Sequence, residues 1–136
     1  MLTKGQGYYV AYTFYLKYWI EIDQFRSYDA EVFDLNTVFG TGMHPFHMDK
    51  PDPVDPAKFE YWEEVIEELF IGKELFTKEE VFQLAIAYVE FHQREFAFEL
   101  TEVLADFKSG KADALWEEVV AEVVCMIEKG EDGRIG

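Results

Sequence analysis

Glu60, Glu63, Glu64, Glu67 and Glu68 recur at three- and four-residue steps, with only Lys58 close by to neutralise them. On a helix, carboxylates four residues apart stand about 6 Å apart along the axis, comparable with the separation of successive phosphates on a nucleic-acid strand. Asp113, Glu117, Glu118 and Glu122 repeat the pattern further along the chain. Like charges at this spacing cost a few tenths of a kcal/mol per pair on an isolated helix. A role in binding a basic surface explains why the pairs are tolerated without interleaved lysines; such rows can stand in for a phosphate backbone.

A second collection of reactive types is His44 and His47, followed by Asp49, Asp52 and Asp55. These are ligand types for a divalent metal with open coordination positions. They define the alternative reading of a metal-dependent enzyme or small-molecule binder centred on His44, His47 and Asp49. Against it, two histidines three apart on a loop have no fixed geometry, and no matching ligand set occurs elsewhere. His92, beside Glu90, Arg94 and Glu95, has the neighbours of an acid–base pair, and equally those of a surface or core histidine. The chain carries no Ser/His/Asp arrangement, no glycine-rich phosphate loop and no paired-cysteine motif. The sequence therefore assigns no catalytic residue and no cofactor.

Charge narrows the classes further. The 136 residues include 28 Asp and Glu against 12 Lys and Arg, a formal charge of −16, so polyanions are repelled at long range. Direct binding to nucleic acid or to an anionic membrane is disfavoured. Residues 1–55 hold 8 acids against 4 bases and residues 56–136 hold 20 against 8, nets of −4 and −12, so the second part carries the field. The single cysteine, Cys125, lies in an apolar run with Val123, Val124 and Met126; it reads as a small buried hydrophobe and suits a reducing cytoplasm. The N-terminal stretch fits neither a signal peptide nor a membrane span, because Lys17 and Glu21 interrupt it and no small-residue cleavage site follows.

The elements that must position these groups form one domain of residues 1–136. From Tyr8 to Ile22 every even position is apolar, and the density of aromatic and β-branched residues favours an extended strand with a bend near residues 15–17. Thr13, Lys17, Glu21 and Gln24 would form one polar stripe if the segment were helical instead. A turn at 24–29 and a shorter strand at 30–36 follow, although Asp29 equally suits the cap of a short helix. All four prolines lie between Asn36 and Pro56, marking 37–55 as a Pro/Gly-rich loop pinned by Phe39, Met43, Phe46 and Met48.

Helical punctuation then takes over. Asp55–Pro56 and Gly72 bracket a helix at about 56–71, with Phe59, Trp62, Val65 or Ile66, Leu69 and Phe70 inward. Thr77 and Glu80 form a capping box, and nothing breaks the pattern before Ser109, giving a second helix at about 78–108. That helix would run roughly 47 Å, longer than the roughly 37 Å diameter of a compact chain of this size. It must kink, near residues 92–94, or project to meet a second subunit. A third helix spans about 112–128, and 129–136 reads as an unpacked tail.

The expected fold class is therefore α+β, a small N-terminal antiparallel sheet packed against three helices. The expected function is that of an acidic, non-enzymatic inhibitor covering a basic, nucleic-acid-handling protein such as a nuclease or toxin. Toxin-immunity proteins and phage-encoded blockers of nucleases or CRISPR complexes are the functional classes with this charge and size. Partner-binding candidates are Glu60, Glu63, Glu64, Glu67 and Glu68, with Asp113, Glu117 and Glu122 as a second row. Tyr9, Tyr15 and Trp19, on the outer face of the expected strand, are candidate apolar anchors. A homodimer whose acidity serves only solubility is the remaining reading.

Overall fold

The computed structural model describes residues 1–17, 34, 37–39, 44, 46–48 and 50–131. Its element order is β1 (Leu2–Thr3), α1 (Lys4–Tyr15), α2 (Ala57–Leu69), β2 (Leu75–Phe76), α3 (Lys78–Phe96), α4 (Thr101–Lys108) and α5 (Asp113–Glu128). The described residues are thus mainly helical, and their only sheet is the antiparallel pair β1–β2, in which Leu2 faces Phe76 and Thr3 faces Leu75.

This overturns the expected α+β class, and the correction falls on the first segment. Residues 8–15 are helix, not strand. Two features explain it. Thr3 and Gln6 form a capping box, with the Gln6 N–H donating to Thr3 Oγ1 at 3.2 Å and the Thr3 N–H to Gln6 Oε1 at 3.0 Å, so the helix is nucleated before the apolar run begins. And α1 is surrounded by the rest of the protein: Tyr8, Val10, Ala11, Phe14 and Tyr15 are all at 0% exposure. Of the polar stripe that a helical reading offers, only Thr13 and Lys17 fall within the described residues, and on a helix buried on most other sides so narrow a stripe hardly reveals the period. Most of the expected strand at 30–36 lies outside the described residues, but Asp34 itself is helical in conformation.

The packing around α1 is largely aromatic. Tyr8 meets Phe39, Phe59, Trp62 and Tyr88 edge-on at 5.3–5.9 Å. Phe14 meets Phe107 and Trp116, each at 5.0 Å. The Tyr15 hydroxyl donates to the Ala85 carbonyl at 2.8 Å, and the Trp62 indole donates to the Lys4 carbonyl at 3.1 Å. Gly7 allows the close approach, since a methyl there would lie 3.4 Å from Val81 and 3.6 Å from Trp62.

The helix boundaries follow their caps more closely. The Ala57 N–H donates to Asp55 Oδ1 at 3.1 Å at the start of α2, and Gly72 adopts φ +77° just after its end. Thr77 and Glu80 form the expected box at the start of α3. The expected single helix over 78–108 is instead two. Ala97 takes the left-handed conformation at φ 55°, ψ 33° and ends α3, after which α4 folds back beside it. Gln93 donates to Thr101 Oγ1 at 3.2 Å and Lys108 bonds Glu90 at 2.8 Å, which pins both ends of the returning helix. The break dissolves the overhang that called for a second subunit. In the loop, Phe39, Phe46 and Met48 are buried as expected, while Met43 lies outside the described residues. Cys125 is exposed on α5, not buried. Among the described residues no helix is long and apolar enough to cross a membrane.

Candidate functional site

On α2, Trp62, Val65 and Ile66 are buried, which turns the glutamates outward. Glu60, Glu63, Glu64, Glu67 and Glu68 all line one open groove of about 590 Å³ between α2 and the C-terminal part of α3, with Lys4, Phe91, Arg94 and Glu95. The row runs about 12 Å along the helix, eight residues at 1.5 Å each. Six carboxylates against Lys4 and Arg94 leave the groove a net of −4. Among the described residues none of the five α2 glutamates makes an ion pair; the groove's arginine is held instead by Glu95 at 3.2 Å and lies over Phe91 at 5.6 Å. Among the described residues the groove therefore presents carboxylates that Lys4 and Arg94 offset only in part.

The second row behaves differently. Glu117 is paired with Lys78 at 2.7 Å and Glu122 with Lys17 at 2.8 Å, both at the surface. The Lys78 ammonium is held above its ordinary value by that contact with Glu117. Asp113 and Glu117 line a separate hollow with the first turns of α3, so the two rows do not share one concavity.

The aromatic anchors are corrected by burial. Tyr15 is in the core and presents no surface. Tyr9 is half-buried, its ring 5.6 Å from Phe46. Trp19 lies outside the described residues.

His44 and His47 are both exposed. The His44 N–H donates to the Asp52 carbonyl at 2.9 Å, and the His47 carbonyl accepts from the Lys50 N–H at 2.8 Å. These bonds order the backbone of the loop. Asp49 lies outside the described residues, and among those described no group of three or more His, Cys, Asp or Glu is placed to hold a metal ion.

His92, the third histidine, is fully buried, within 4.7–5.9 Å of the rings of Tyr61, Tyr88, Phe91, Phe96 and Phe98. Its Nδ1 lies 2.9 Å from the Tyr88 carbonyl. A carbonyl only accepts, so Nδ1 carries the proton and Nε2 is left as an acceptor without a partner among the described residues. Burial pulls its pKa down from 6.5 to about 4, against the opposing effect of the hydrogen bond that it donates to the Tyr88 carbonyl. Beside it, Lys58 is only 6% exposed, its ammonium 5.2–5.7 Å from the ring centres of Tyr61, Phe96 and Phe98. Burial lowers the Lys58 pKa too, with Asp55 opposing. Nothing in the sequence flags this cluster, because a lysine in the first turn of an acidic helix reads as solvated.

Comparison with protein-family models, with curated proteins and with solved structures finds no match to this chain.

Proposed function

We propose that the protein is a non-enzymatic, acidic binding protein that docks a basic, nucleic-acid-handling protein into the groove between α2 and α3. The toxin-immunity and phage anti-defence classes are the settings in which such a blocker acts, and the cytoplasm is the compartment in which it meets its partner. The observation that carries the reading is the convergence of Glu60, Glu63, Glu64, Glu67 and Glu68 on one groove without ion pairs among the described residues. Fixed carboxylates of this kind accelerate encounter with a cationic surface and make the complex sensitive to salt. They also compete with phosphates for the same lysines and arginines. The row on α5 contributes less, because Glu117 and Glu122 already hold lysines.

The test is a pull-down of purified basic nucleases and DNA-binding proteins over a salt series, with the wild type and the Glu63→Lys/Glu67→Lys double variant as bait. Retention at low salt, release as salt rises and loss with charge reversal are the expected results, together with release of nucleic acid from the captured partner. Recovery indifferent to salt, or to the reversal, counts against the reading.

A further inference from the structure

His92 and Lys58 share one aromatic cage. The imidazole lies 5.5–5.9 Å from the ring centres of Tyr61, Phe96 and Phe98, and the Lys58 ammonium lies 5.2–5.7 Å from the centres of the same three rings. Phe96 and Phe98 flank Ala97, the left-handed residue that ends α3, so the cage closes the corner between α3 and α4 onto α2. Ring faces attract a cation, but two cations in one dry space repel each other with little screening. The space is dry: Lys58 is 6% exposed and His92 is 0% exposed. The other titratable groups around the imidazole are Tyr61 from α2, Tyr88 from α3 itself and Asp55 from the segment before α2, while the corner at 96–98 brings none. Arg94 and Glu95 of α3 are exposed and pair with each other. Only the Asp55 carboxylate favours a positive charge on His92, and Asp55 acts from the surface.

We propose that this cage is a one-cation switch: protonation of His92 expels the Lys58 ammonium to solvent beside Asp55 and loosens the α3–α4 corner while the rest of the core stays packed. The two groups differ in their freedom to move. His92 is held by its Nδ1–H bond to the Tyr88 carbonyl at 2.9 Å. Lys58 stands in the first turn of α2, on a flexible stem whose ammonium is strongly hydrated once outside. With His92 neutral, the three rings hold Lys58 and the lysine staples the corner to α2. With His92 charged, the imidazolium keeps the rings, and its new Nε2–H, which has no acceptor among the described residues, gains the space that the lysine vacates. Release also removes one of three supports for Ala97 at its unfavourable φ of 55°, the others being the burial of Leu100 and the bond from the Glu99 N–H to Asp34. The switch responds to acid below the ordinary histidine range, because burial and the Lys58 charge both hold the imidazole neutral. It operates whether or not the α2–α3 groove takes a basic partner.

The experiment is an NMR titration of the full chain with acid from about pH 7.5 to about pH 3.5. Three signals are followed: the His92 imidazole Cε1–H, the Lys58 Cε methylene, which ring currents shift while it lies over the ring faces, and the methyls of Val119, a fully buried residue of α5 that marks the core. The expected result is that the Lys58 signal moves to its solvent position along the His92 titration curve while the Val119 signals stay native. In Lys58→Met, which keeps an apolar stem among the rings, His92 should titrate about half a pH unit or more higher. In His92→Phe the Lys58 signal should keep its ring-shifted position as long as Val119 stays native. A Lys58 signal that holds its place while His92 titrates, or that moves only together with Val119, overturns the switch. An unchanged His92 titration in Lys58→Met overturns it too, as does an equal departure of Lys58 in His92→Phe.

Discussion

Acid should loosen this protein through one buried imidazole. In the unfolded chain His92 takes up a proton as pH falls through 6.5, while in the folded protein it resists until about 4. Between those values the unfolded state binds more protons than the folded one, so stability falls as pH falls. The contribution is fully present above pH 6.5, is lost progressively down to pH 4, and is constant below that. At about 1.36 kcal/mol for each pH unit separating the two values, the loss comes to about 3 kcal/mol, a large share of the 5–15 kcal/mol that typically holds a domain together. The physical cause is the cage of five rings and the neighbouring Lys58 charge, neither of which offers the imidazolium a new partner. His92→Phe removes the titration while keeping a ring among rings, at the cost of the Nδ1–H bond to Tyr88, about 1 kcal/mol. Urea unfolding of both proteins at intervals from pH 7.5 to pH 4 isolates the effect, because the carboxylates titrate alike in the two. The wild type's advantage over the variant should shrink, or its deficit grow, by about 3 kcal/mol across that range. Two stability curves that run parallel from pH 7.5 to pH 4 would refute the reasoning.

Three further outcomes are expected. Thr77→Ala removes the side chain that caps α3 through the Glu80 N–H at 3.2 Å and should cost about 1 kcal/mol in denaturant unfolding; no loss would mean that the β1–β2 pairing alone sets the start of the helix. Tyr15→Phe deletes the buried hydroxyl that donates to the Ala85 carbonyl and should cost about 1 kcal/mol, seen as a lowered thermal midpoint with an unchanged circular dichroism spectrum. Ala97→Gly should raise stability by up to about 1 kcal/mol, since glycine meets no Cβ penalty at a φ of 55°; a loss on calorimetry would show that the Ala97 methyl has a packing role.

The helical caps were legible in the sequence because each is a local bond between residues two to four apart. Asp55–Pro56, Thr77 with Glu80, and Gly72 announce α2 and the start of α3 without reference to anything distant. The Thr3–Gln6 box was equally local, but the aromatic run after it suggested alternation. At the centre of a helical protein α1 is covered on most sides, so the apolar positions that would mark a face are not confined to one. The break at Ala97 had no glycine or proline to announce it. What holds it is tertiary: Leu100 is buried, Asp34 Oδ2 accepts from the Glu99 N–H at 2.8 Å, and Phe96 and Phe98 cover the Lys58 ammonium.

The candidate site divides along the same line. That Glu60, Glu63, Glu64, Glu67 and Glu68 share a face needs only the helical period, and the groove they line follows from the burial of Trp62, Val65 and Ile66. Which acidic row stays without ion pairs among the described residues depends on partners far off in sequence. Glu122 meets Lys17, 105 residues away, and Glu117 meets Lys78, 39 away, while Lys58, the basic residue nearest to the first row, turns inward among Tyr61, Phe96 and Phe98. Two rows of equal weight on paper thus become one open anionic groove and one partly neutralised ridge. If a cationic macromolecule docks on this protein, the groove supplies the long-range attraction, and the ridge, whose Glu117 and Glu122 already hold lysines, adds less.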